Sequence, residues 1–374
     1  MASIWSFQPF KSVFIVLFAC RKTLYLTFSS LQYFFAPLRP VSAWSFKTSI
    51  GVKILRAVFE YCTATRYQRP PQLSPGKSQE RFVLIDPPDT QLFSGVLSPG
   101  KVKPVPVGAI WHPTPVLKDV PGLETRKVAI LAPGGAFVLG WDPEETGRAA
   151  TYVLSRHLGT TNVLYVQYRL AGPGTQFPAA VQDLLTAYHY VLGLGIPAEN
   201  ISLVGDSAGG NLVLALLRFL ETAQTPISRP GRVLCFSPWV DVALDSGLKY
   251  EQSAASRIDL LDGKLLTWGA SAYIPDGELS ASALAFISPL HHPFATKTSL
   301  FIAAGGVEGL FGSICKFAEQ MSGVEGTRVR LHVAKYMPHD FFLTYPVLGS
   351  ESEIAAALED ARRFFDRDQQ EASK

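Results

Sequence analysis

The stretch LVGDSAGGNLVLAL, residues 203–216, joins two apolar runs through an acid, a serine and three glycines. Residues 200–206 before the junction read as a buried strand, and residues 208–223 after it read as a helix. Packing a strand against a helix requires neither a charge nor a hydroxyl at this point. Gly205-Asp206-Ser207-Ala208-Gly209 matches the pattern G-x-S-x-G, in which a sharp strand-to-helix turn exposes a serine at the edge of a sheet. We therefore interpret Ser207 as a reactive serine, with an ordinary tight turn as the alternative.

Outside this stretch, short apolar runs alternate with segments of helical spacing. The predicted strands lie within residues 126–135, 161–170, 200–206, 231–239, 298–306 and 328–337. Residues 179–195, 208–223 and 352–368 are predicted to form helices between and after them. Buried strands that alternate with helices predict an α/β fold, a mostly parallel sheet covered by helices on both faces. In such sheets, ligands bind at the carboxyl ends of the strands.

The charge of the chain is concentrated at its beginning. The 374 residues carry a net charge of +3, but residues 1–70 hold nine Lys/Arg and one acid, so this segment is +8 and the remainder is −5. Apolar and aromatic runs surround Arg21 and Lys22, which favours a membrane surface rather than nucleic acid as the contact of this segment. Three alternatives stay open for it: a helix or hairpin lying on a membrane, a true membrane anchor, or an apolar flap packed on the rest of the protein.

Composition shifts divide the chain into two parts. Residues 1–75 form the apolar, basic segment and end in a linker rich in Pro, Gly and Ser, and residues 76–370 are expected to form the globular domain. The four cysteines lack C-x-x-C spacing, which excludes a zinc site or a disulfide framework of the usual patterns, and we expect mostly buried thiols. The expected location is intracellular, at a membrane of the endoplasmic reticulum type or in solution.

A serine hydroxyl needs a base and an orienting acid to become a nucleophile. When a G-x-S-x-G serine lies at such a turn, the acid and then the histidine follow it in the chain. Four histidines follow Ser207, namely His291, His292, His332 and His339. The first two precede the strand at 298–306, and His332 lies within the last strand, whereas His339 follows that strand in the loop MPHDFF. We therefore expect His339 to be the base.

The acid is expected in the loop after the strand at 298–306, at its carboxyl end. Glu308 is the carboxylate that this loop offers. Glu319 falls within a helical pattern, Glu325 comes later, and Asp340 adjoins His339, where neighbouring side chains diverge. We therefore expect Glu308 to orient His339.

A negatively charged oxygen formed during attack by Ser207 would need backbone N–H donors. The segment APGGAF, residues 132–137, follows an earlier strand, and its small residues leave backbone amides uncovered. The expected donors are Gly134, Gly135 and Ala136 in this segment and Ala208 after the serine.

Taken together, these residues resemble the hormone-sensitive-lipase branch of the α/β-hydrolases, which includes arylacetamide deacetylases and fungal steryl acetyl hydrolases. The resemblance covers residues 80–365. It is carried by GDSAGG (205–210), YRLAGPGTQFPAAVQD (168–183), SPWVD (237–241), SPL (288–290) and MPHDF (337–341).

The resemblance implies an α/β-hydrolase fold and carboxylester hydrolysis through an acyl-enzyme on Ser207, without a metal or an organic cofactor. It implies Gly135, Ala136 and Ala208 as the oxyanion donors. It also implies that the N-terminal helices and an insertion near residues 241–285, which we call the lid segment, cover the acyl pocket. The expected partner is a hydrophobic small-molecule ester, not a nucleic acid.

Two departures from the family pattern leave room for other functions. The usual His-Gly-Gly-Gly of the oxyanion loop is replaced by Pro133-Gly134-Gly135-Ala136, and Glu308 stands where Asp is commoner. The first alternative is a hydrolase-fold enzyme of secondary metabolism that performs an elimination, a cyclisation or the release of an intermediate. The second is a non-catalytic binder of small molecules.

Overall fold

A single mixed sheet organises the protein. The structure, a computed structural model, describes residues 4–223 and 225–372, with side chains as far as Arg367. Within these ranges the strands are β1 (Phe82–Ile85), β2 (Val107–His112), β3 (Val128–Ala132), β4 (Asn162–Gln167), β5 (Ile201–Asp206), β6 (Arg232–Phe236), β7 (Ser299–Gly305) and β8 (Val329–Ala334).

The helices flank this sheet or precede it. In chain order they are α1 (Phe10–Tyr33), α2 (Phe46–Thr65), α3 (Pro143–Leu158), α4 (Ala179–Gly193), α5 (Ser207–Thr222), α6 (Ser246–Gln252), α7 (Gly263–Tyr273), α8 (Ala281–Ile287), α9 (Phe311–Ser322), α10 (Tyr345–Leu348) and α11 (Glu351–Ala372). The lid segment therefore holds α6 and α7 and most of α8, between β6 and β7.

The strands follow the order β1-β2-β4-β3-β5-β6-β7-β8. The pairs β1–β2 and β2–β4 are antiparallel, and the five pairs from β4–β3 to β7–β8 are parallel. The prediction of a mostly parallel α/β sheet is confirmed. The sequence prediction did not include β1 and β2, because the antiparallel edge of the sheet lacks the strand–helix alternation that marks the parallel part.

Both faces of the sheet are covered by buried apolar side chains. On one face, α4 and α5 pack with parts of the lid segment, and α2 joins the same core through Val52, Phe59 and Cys62. On the other face, α3 and α11 pack against alternate residues of the central strands. The carboxyl ends of β3, β5, β7 and β8 consequently meet at one edge, where their following loops can approach one another.

Helix α1 exposes most of its apolar side chains. Its 24 residues include the two runs on either side of Arg21 and Lys22 in one continuous helix. Among the described residues, α1 is the one helix long and apolar enough to cross a membrane, judged by length and composition. Its most exposed large side chains are Val13, Val16, Leu17, Leu24, Phe28 and Leu31. Lys22 pairs with Glu60 of α2, which attaches α1 to the rest of the protein.

Candidate active site

Ser207 lies in the turn between β5 and α5. Its backbone has φ +51°, a left-handed conformation that is strained for a residue with a side chain. The glycines on either side permit this turn: a Cβ at Gly205 would lie 2.4 Å from the carbonyl oxygen of Gly209, and a Cβ at Gly209 would lie 1.9 Å from that of Ala132. Side chains are therefore excluded at both positions, as expected for a turn that presents Ser207 at the strand end.

His339 and Glu308 meet in the loops after β8 and β7. The imidazole Nδ1 lies 2.6 Å from Oε2 of Glu308, and both residues are only 2% exposed. The backbone amide of Gly305 donates to the other carboxylate oxygen, Oε1, at 2.9 Å. Glu308 therefore holds the imidazole in one orientation, with Nε2 as the ring nitrogen left for another partner.

The environment of His339 favours the protonated imidazole. Burial by itself lowers the pKa of His339, but the hydrogen bond and charge of Glu308 outweigh it, and Asp259 and Asp206 add to the upward shift. Nε2 is buried and has no hydrogen-bond partner among the described residues. The structure thus brings Glu308 to His339, whereas it shows no hydrogen bond between His339 and Ser207.

In the loop after β3, the backbone amide of Gly134 already has a hydrogen-bond acceptor. The N–H of Gly134 donates to Oδ1 and Oδ2 of Asp206, each at 2.9 Å. The expectation that Gly134 serves as an oxyanion donor is therefore wrong, because its donor is used to hold the loop against the residue before Ser207. Gly135 and Ala136 follow with φ +119° and +50°, and no described residue accepts a hydrogen bond from their amides. These two amides, with that of Ala208 at the start of α5, remain as candidate donors.

Neighbouring side chains fix the position of this loop. The hydroxyl of Tyr168 donates to the carbonyl of Pro133 at 2.5 Å, and the indole N–H of Trp141 donates to the carbonyl of Gly134 at 3.1 Å. Phe137 stacks on Tyr273 of α7, with 3.8 Å between ring centroids and 5° between planes. The replacement of the usual histidine by Pro133 therefore leaves a loop that is held by its own carbonyls and by the lid segment.

Two aspartates of the site make contacts that the sequence analysis did not predict. Asp340, which was set aside as the acid because it adjoins His339, lies close enough to Asp206 for the charge of Asp206 to raise the pKa of the Asp340 carboxyl group. Asp259 of the lid segment accepts the backbone N–H of His339 at 2.9 Å and that of Gly309 at 2.8 Å. Neither contact leaves a signal in the sequence, since each joins residues far apart in the chain.

The remaining candidate residues lie away from the serine or serve the fold. His332 on β8 contacts Asp360 of α11 at 3.1 Å, and His291 contacts Gln320 of α9 at 3.0 Å. Within residues 4–223 and 225–372, no group of three or more His, Cys, Asp or Glu side chains is arranged to hold a metal ion. Ser207, His339 and Glu308 therefore remain the candidates for nucleophile, base and orienting acid.

A comparison with protein families identifies the fold. Residues 130–343, which include the three candidate catalytic residues, match a family with the alpha/beta hydrolase fold. The chain is an α/β-hydrolase. The match covers more than half of the protein and begins within β3, so it includes the oxyanion loop, the serine turn and the two loops that carry Glu308 and His339.

Relatives of this α/β-hydrolase agree with the resemblance inferred from its motifs. It is 32% identical to an acetyl-hydrolase of Streptomyces hygroscopicus over 228 residues, which are 61% of this chain and 72% of the relative. It is also 32% identical to an ethyl acetate hydrolase of Pseudomonas putida over 243 residues, which are 63% and 72% of the two chains. The crystal structure of an esterase from the bacterial hormone-sensitive lipase family superposes with a TM-score of 0.62 at 22% identity, covering 86% of this chain and 99% of the esterase.

Proposed function

We propose that this α/β-hydrolase cleaves a hydrophobic carboxylic ester through an acyl-enzyme on Ser207. The class of reaction is supported by the relatives, which include an acetyl-hydrolase, an esterase and an ethyl acetate hydrolase. The observation that carries the assignment of residues is the His339–Glu308 pair at 2.6 Å, buried at the same sheet edge as the strained Ser207. Such a pair supplies an oriented base to a nearby hydroxyl.

Each proposed residue has one role in two successive transfers. Nε2 of His339 accepts the proton of the Ser207 hydroxyl as Oγ attacks the ester carbonyl, and Glu308 stabilises the resulting imidazolium. The amides of Gly135, Ala136 and Ala208 donate to the oxyanion of the tetrahedral intermediate. The carbon–oxygen bond to the alcohol then breaks, and His339 returns the proton to the leaving alcohol. A water molecule repeats these steps on the acyl-enzyme and releases the carboxylic acid and free Ser207.

An apolar cavity supports a hydrophobic substrate. It has a volume of about 660 Å³ and lies between α2, α3 and α10, with Asp340, the neighbour of His339, on its wall. Its apolar wall comes from Leu55, Phe59, Trp141, Leu343 and Val347. This volume is within the usual range for small-molecule pockets, and its lining suits the hydrocarbon part of an ester. Helix α2 forms one wall of this cavity through Leu55 and Phe59, in keeping with the cover by N-terminal helices that the resemblance implies.

The exposed apolar surface of α1 supports contact with a membrane surface. Val16, Leu24 and Phe28 are each more than 60% exposed, and Arg21 also lies largely in solvent. An apolar helix with cations suits the interface of an anionic bilayer, where a lipophilic ester would also reside. Flotation of the full chain with vesicles containing phosphatidylserine tests this, and Leu24→Glu combined with Phe28→Glu is expected to reduce the floating fraction. Equal flotation of the variant and the wild type would contradict it.

The experiment that tests the proposed reaction compares the wild type with Ser207→Ala on p-nitrophenyl esters from acetyl to decanoyl. The wild type is expected to hydrolyse these esters, and Ser207→Ala to lose at least about 10³-fold in rate, because only oxyanion stabilisation and binding remain. A folded Ser207→Ala protein that keeps its rate would contradict nucleophilic catalysis by Ser207.

A further inference from the structure

Asp259 is a buried carboxylate with no role in the mechanism above. It lies in the lid segment, between α6 and α7, and is completely inaccessible to solvent. Burial of a charged group is costly unless hydrogen bonds satisfy it. The partners of Asp259 therefore indicate why this position holds a carboxylate.

The two oxygens of Asp259 contact both catalytic loops. Oδ1 accepts the backbone N–H of His339 at 2.9 Å, and Oδ2 accepts the backbone N–H of Gly309, the residue after Glu308, at 2.8 Å. A planar carboxylate with both oxygens bonded determines the separation of the two amides that it bridges. The 2.6 Å contact between His339 and Glu308 depends on that separation, since each side chain stands on one of the bridged loops.

The surroundings of Asp259 keep it in place. The hydroxyl of Tyr250 on α6 donates to Oδ2 at 3.2 Å, and the N–H of Leu260 donates to Oδ1 at 2.8 Å. From α2, the guanidinium of Arg56 donates to the carbonyls of Ser256 and Asp259 at 2.5 and 3.2 Å. The lid segment at Asp259 is thus joined to α2 on one side and to the loops that carry Glu308 and His339 on the other.

We propose that Asp259 is a positioning residue of the active site, which sets the spacing of the loops that carry Glu308 and His339 and adds a negative charge beside the imidazole. This inference rests on the ester hydrolysis proposed above. Asp259 touches neither the serine nor the proposed path of the substrate, so its effect on the reaction passes through His339 and Glu308.

The negative charge of Asp259 affects the pKa of His339, which the spacing of the loops alone would not do. Asp259 contributes to the raised pKa of His339, after the larger contribution of Glu308 and together with that of Asp206. The titratable and charged groups around this cluster include Glu308, Asp206, Asp340, Tyr250, Glu251, Arg56 and Cys315. Removal of the charge at Asp259 should lower the pKa of His339 and move the acid limb of kcat/KM to lower pH, because His339 acts as a base in its neutral form.

The test compares Asp259→Asn with Asp262→Asn by pH profiles of kcat and KM on p-nitrophenyl acetate. Asparagine retains one acceptor oxygen but places an NH2 group against the second backbone N–H. Asp259→Asn is expected to lose about 10- to 100-fold in kcat/KM, mainly in kcat, with its acid limb at lower pH. Asp262 is a matched control because it is buried in the same lid segment and caps α7 through Leu265 without contact to either catalytic loop. Asp262→Asn is expected to keep the wild-type acid limb and its kcat/KM within about threefold.

An Asp259→Asn protein that matches Asp262→Asn in kcat and in its acid limb would overturn the inference. Should Asp259→Asn fail to fold, Asp259→Ser replaces it, because serine is a smaller acceptor without charge. The pH profile of the wild type provides a separate test. An acid limb of the wild type below the ordinary range of histidine would also overturn the inference. Ser207→Ala, measured in parallel, distinguishes failure of the proposed function from failure of the role of Asp259. If Ser207→Ala retains activity, the proposed function is refuted. If Ser207→Ala loses activity and Asp259→Asn keeps it, only the role of Asp259 is refuted.

Discussion

The carboxyl groups of Asp206 and Asp340 interact with each other next to the proposed nucleophile and base. Asp206 precedes Ser207 and binds the oxyanion loop through the amide of Gly134, and Asp340 follows His339. Two neighbouring carboxylates repel each other when both are ionised, which favours a state in which one of the pair keeps its proton. The pair therefore couples the histidine loop to the serine turn and, through Gly134, to the loop after β3.

Asp340→Asn is expected to make stability less dependent on pH. Burial raises the pKa of Asp206 to about 7 from an ordinary value of 3.8, and burial also raises the pKa of Asp340. The folded protein retains a proton that the unfolded chain releases above its lower pKa, so the stability contributed by the pair is lost as the pH rises from about 4 towards about 7. One retained proton corresponds to a slope of about 1.4 kcal/mol per pH unit.

In Asp340→Asn the amide beside Asp206 does not titrate, and the slope in this window should be shallower. Urea unfolding of the wild type and the variant at several pH values between 4 and 7 measures it, with the exposed Asp276→Asn as control. Parallel pH dependences for the wild type and Asp340→Asn would show that the pair does not retain an extra proton in the folded protein.

Glu308→Gln tests the orientation of the imidazole. The amide can donate where Nδ1–H now donates, which favours the wrong tautomer of His339 while the shape of the side chain is kept. We expect kcat to fall by about 10³- to 10⁴-fold with a small change in KM. Steady-state kinetics at the plateau of the pH profile provide the measurement, and a loss of less than tenfold would assign the orienting role to another group.

Gly209→Ala tests the close approach of the serine turn to β3. The added Cβ would lie 1.9 Å from the carbonyl oxygen of Ala132, a backbone atom that cannot move freely. We expect a loss of about 1–3 kcal/mol in the free energy of unfolding and of about 100-fold in kcat/KM. Gly193→Ala at the end of α4 is the control, since no atom lies within 4 Å of the Cβ that it adds. Equal stability of the two variants would contradict the packing described for the turn.

Leu55→Trp tests the cavity between α2, α3 and α10 as the site of the hydrocarbon part of the ester. The larger side chain would fill part of the 660 Å³, so kcat/KM for decanoyl esters should fall by at least about tenfold relative to acetyl esters. Val58→Trp places the same side chain on the solvent-facing side of α2, where Val58 is 40% exposed, and should leave the chain-length profile unchanged. A profile of Leu55→Trp that parallels the wild type would place the hydrocarbon elsewhere.

The parallel part of the fold could be predicted from the sequence, and so could the candidate catalytic residues in their order along the chain, serine, acid and histidine. Apolar runs mark β3 to β7, and β8 alternates apolar residues with Arg330 and His332. Because the carboxyl ends of parallel strands meet at one edge, the loops holding Glu308 and His339 could be expected near the Ser207 turn. The short antiparallel strands β1 and β2 carry no comparable pattern.

The hydrogen bonds of the aspartates could not be predicted in the same way. The sequence shows that Gly134 leaves its amide uncovered, but it does not show that the side chain of Asp206 accepts it. Asp259 lies 80 residues before His339, and its contact depends on how the lid segment packs. Asp340 was judged only against its neighbour His339, whereas its partner is on another strand end. Such contacts follow from the three-dimensional packing of loops, which local sequence patterns do not determine.

The most direct test of nucleophilic catalysis by Ser207 is covalent labelling with a fluorophosphonate, followed by mass spectrometry of the tryptic peptides. The wild type is expected to carry the label on Ser207, and His339→Ala is expected to react far more slowly because the base is lost. Ser207→Ala should carry no label at this turn. A folded wild-type protein that hydrolyses esters but is not labelled, or that is labelled equally in the wild type and His339→Ala, would contradict the serine mechanism proposed here.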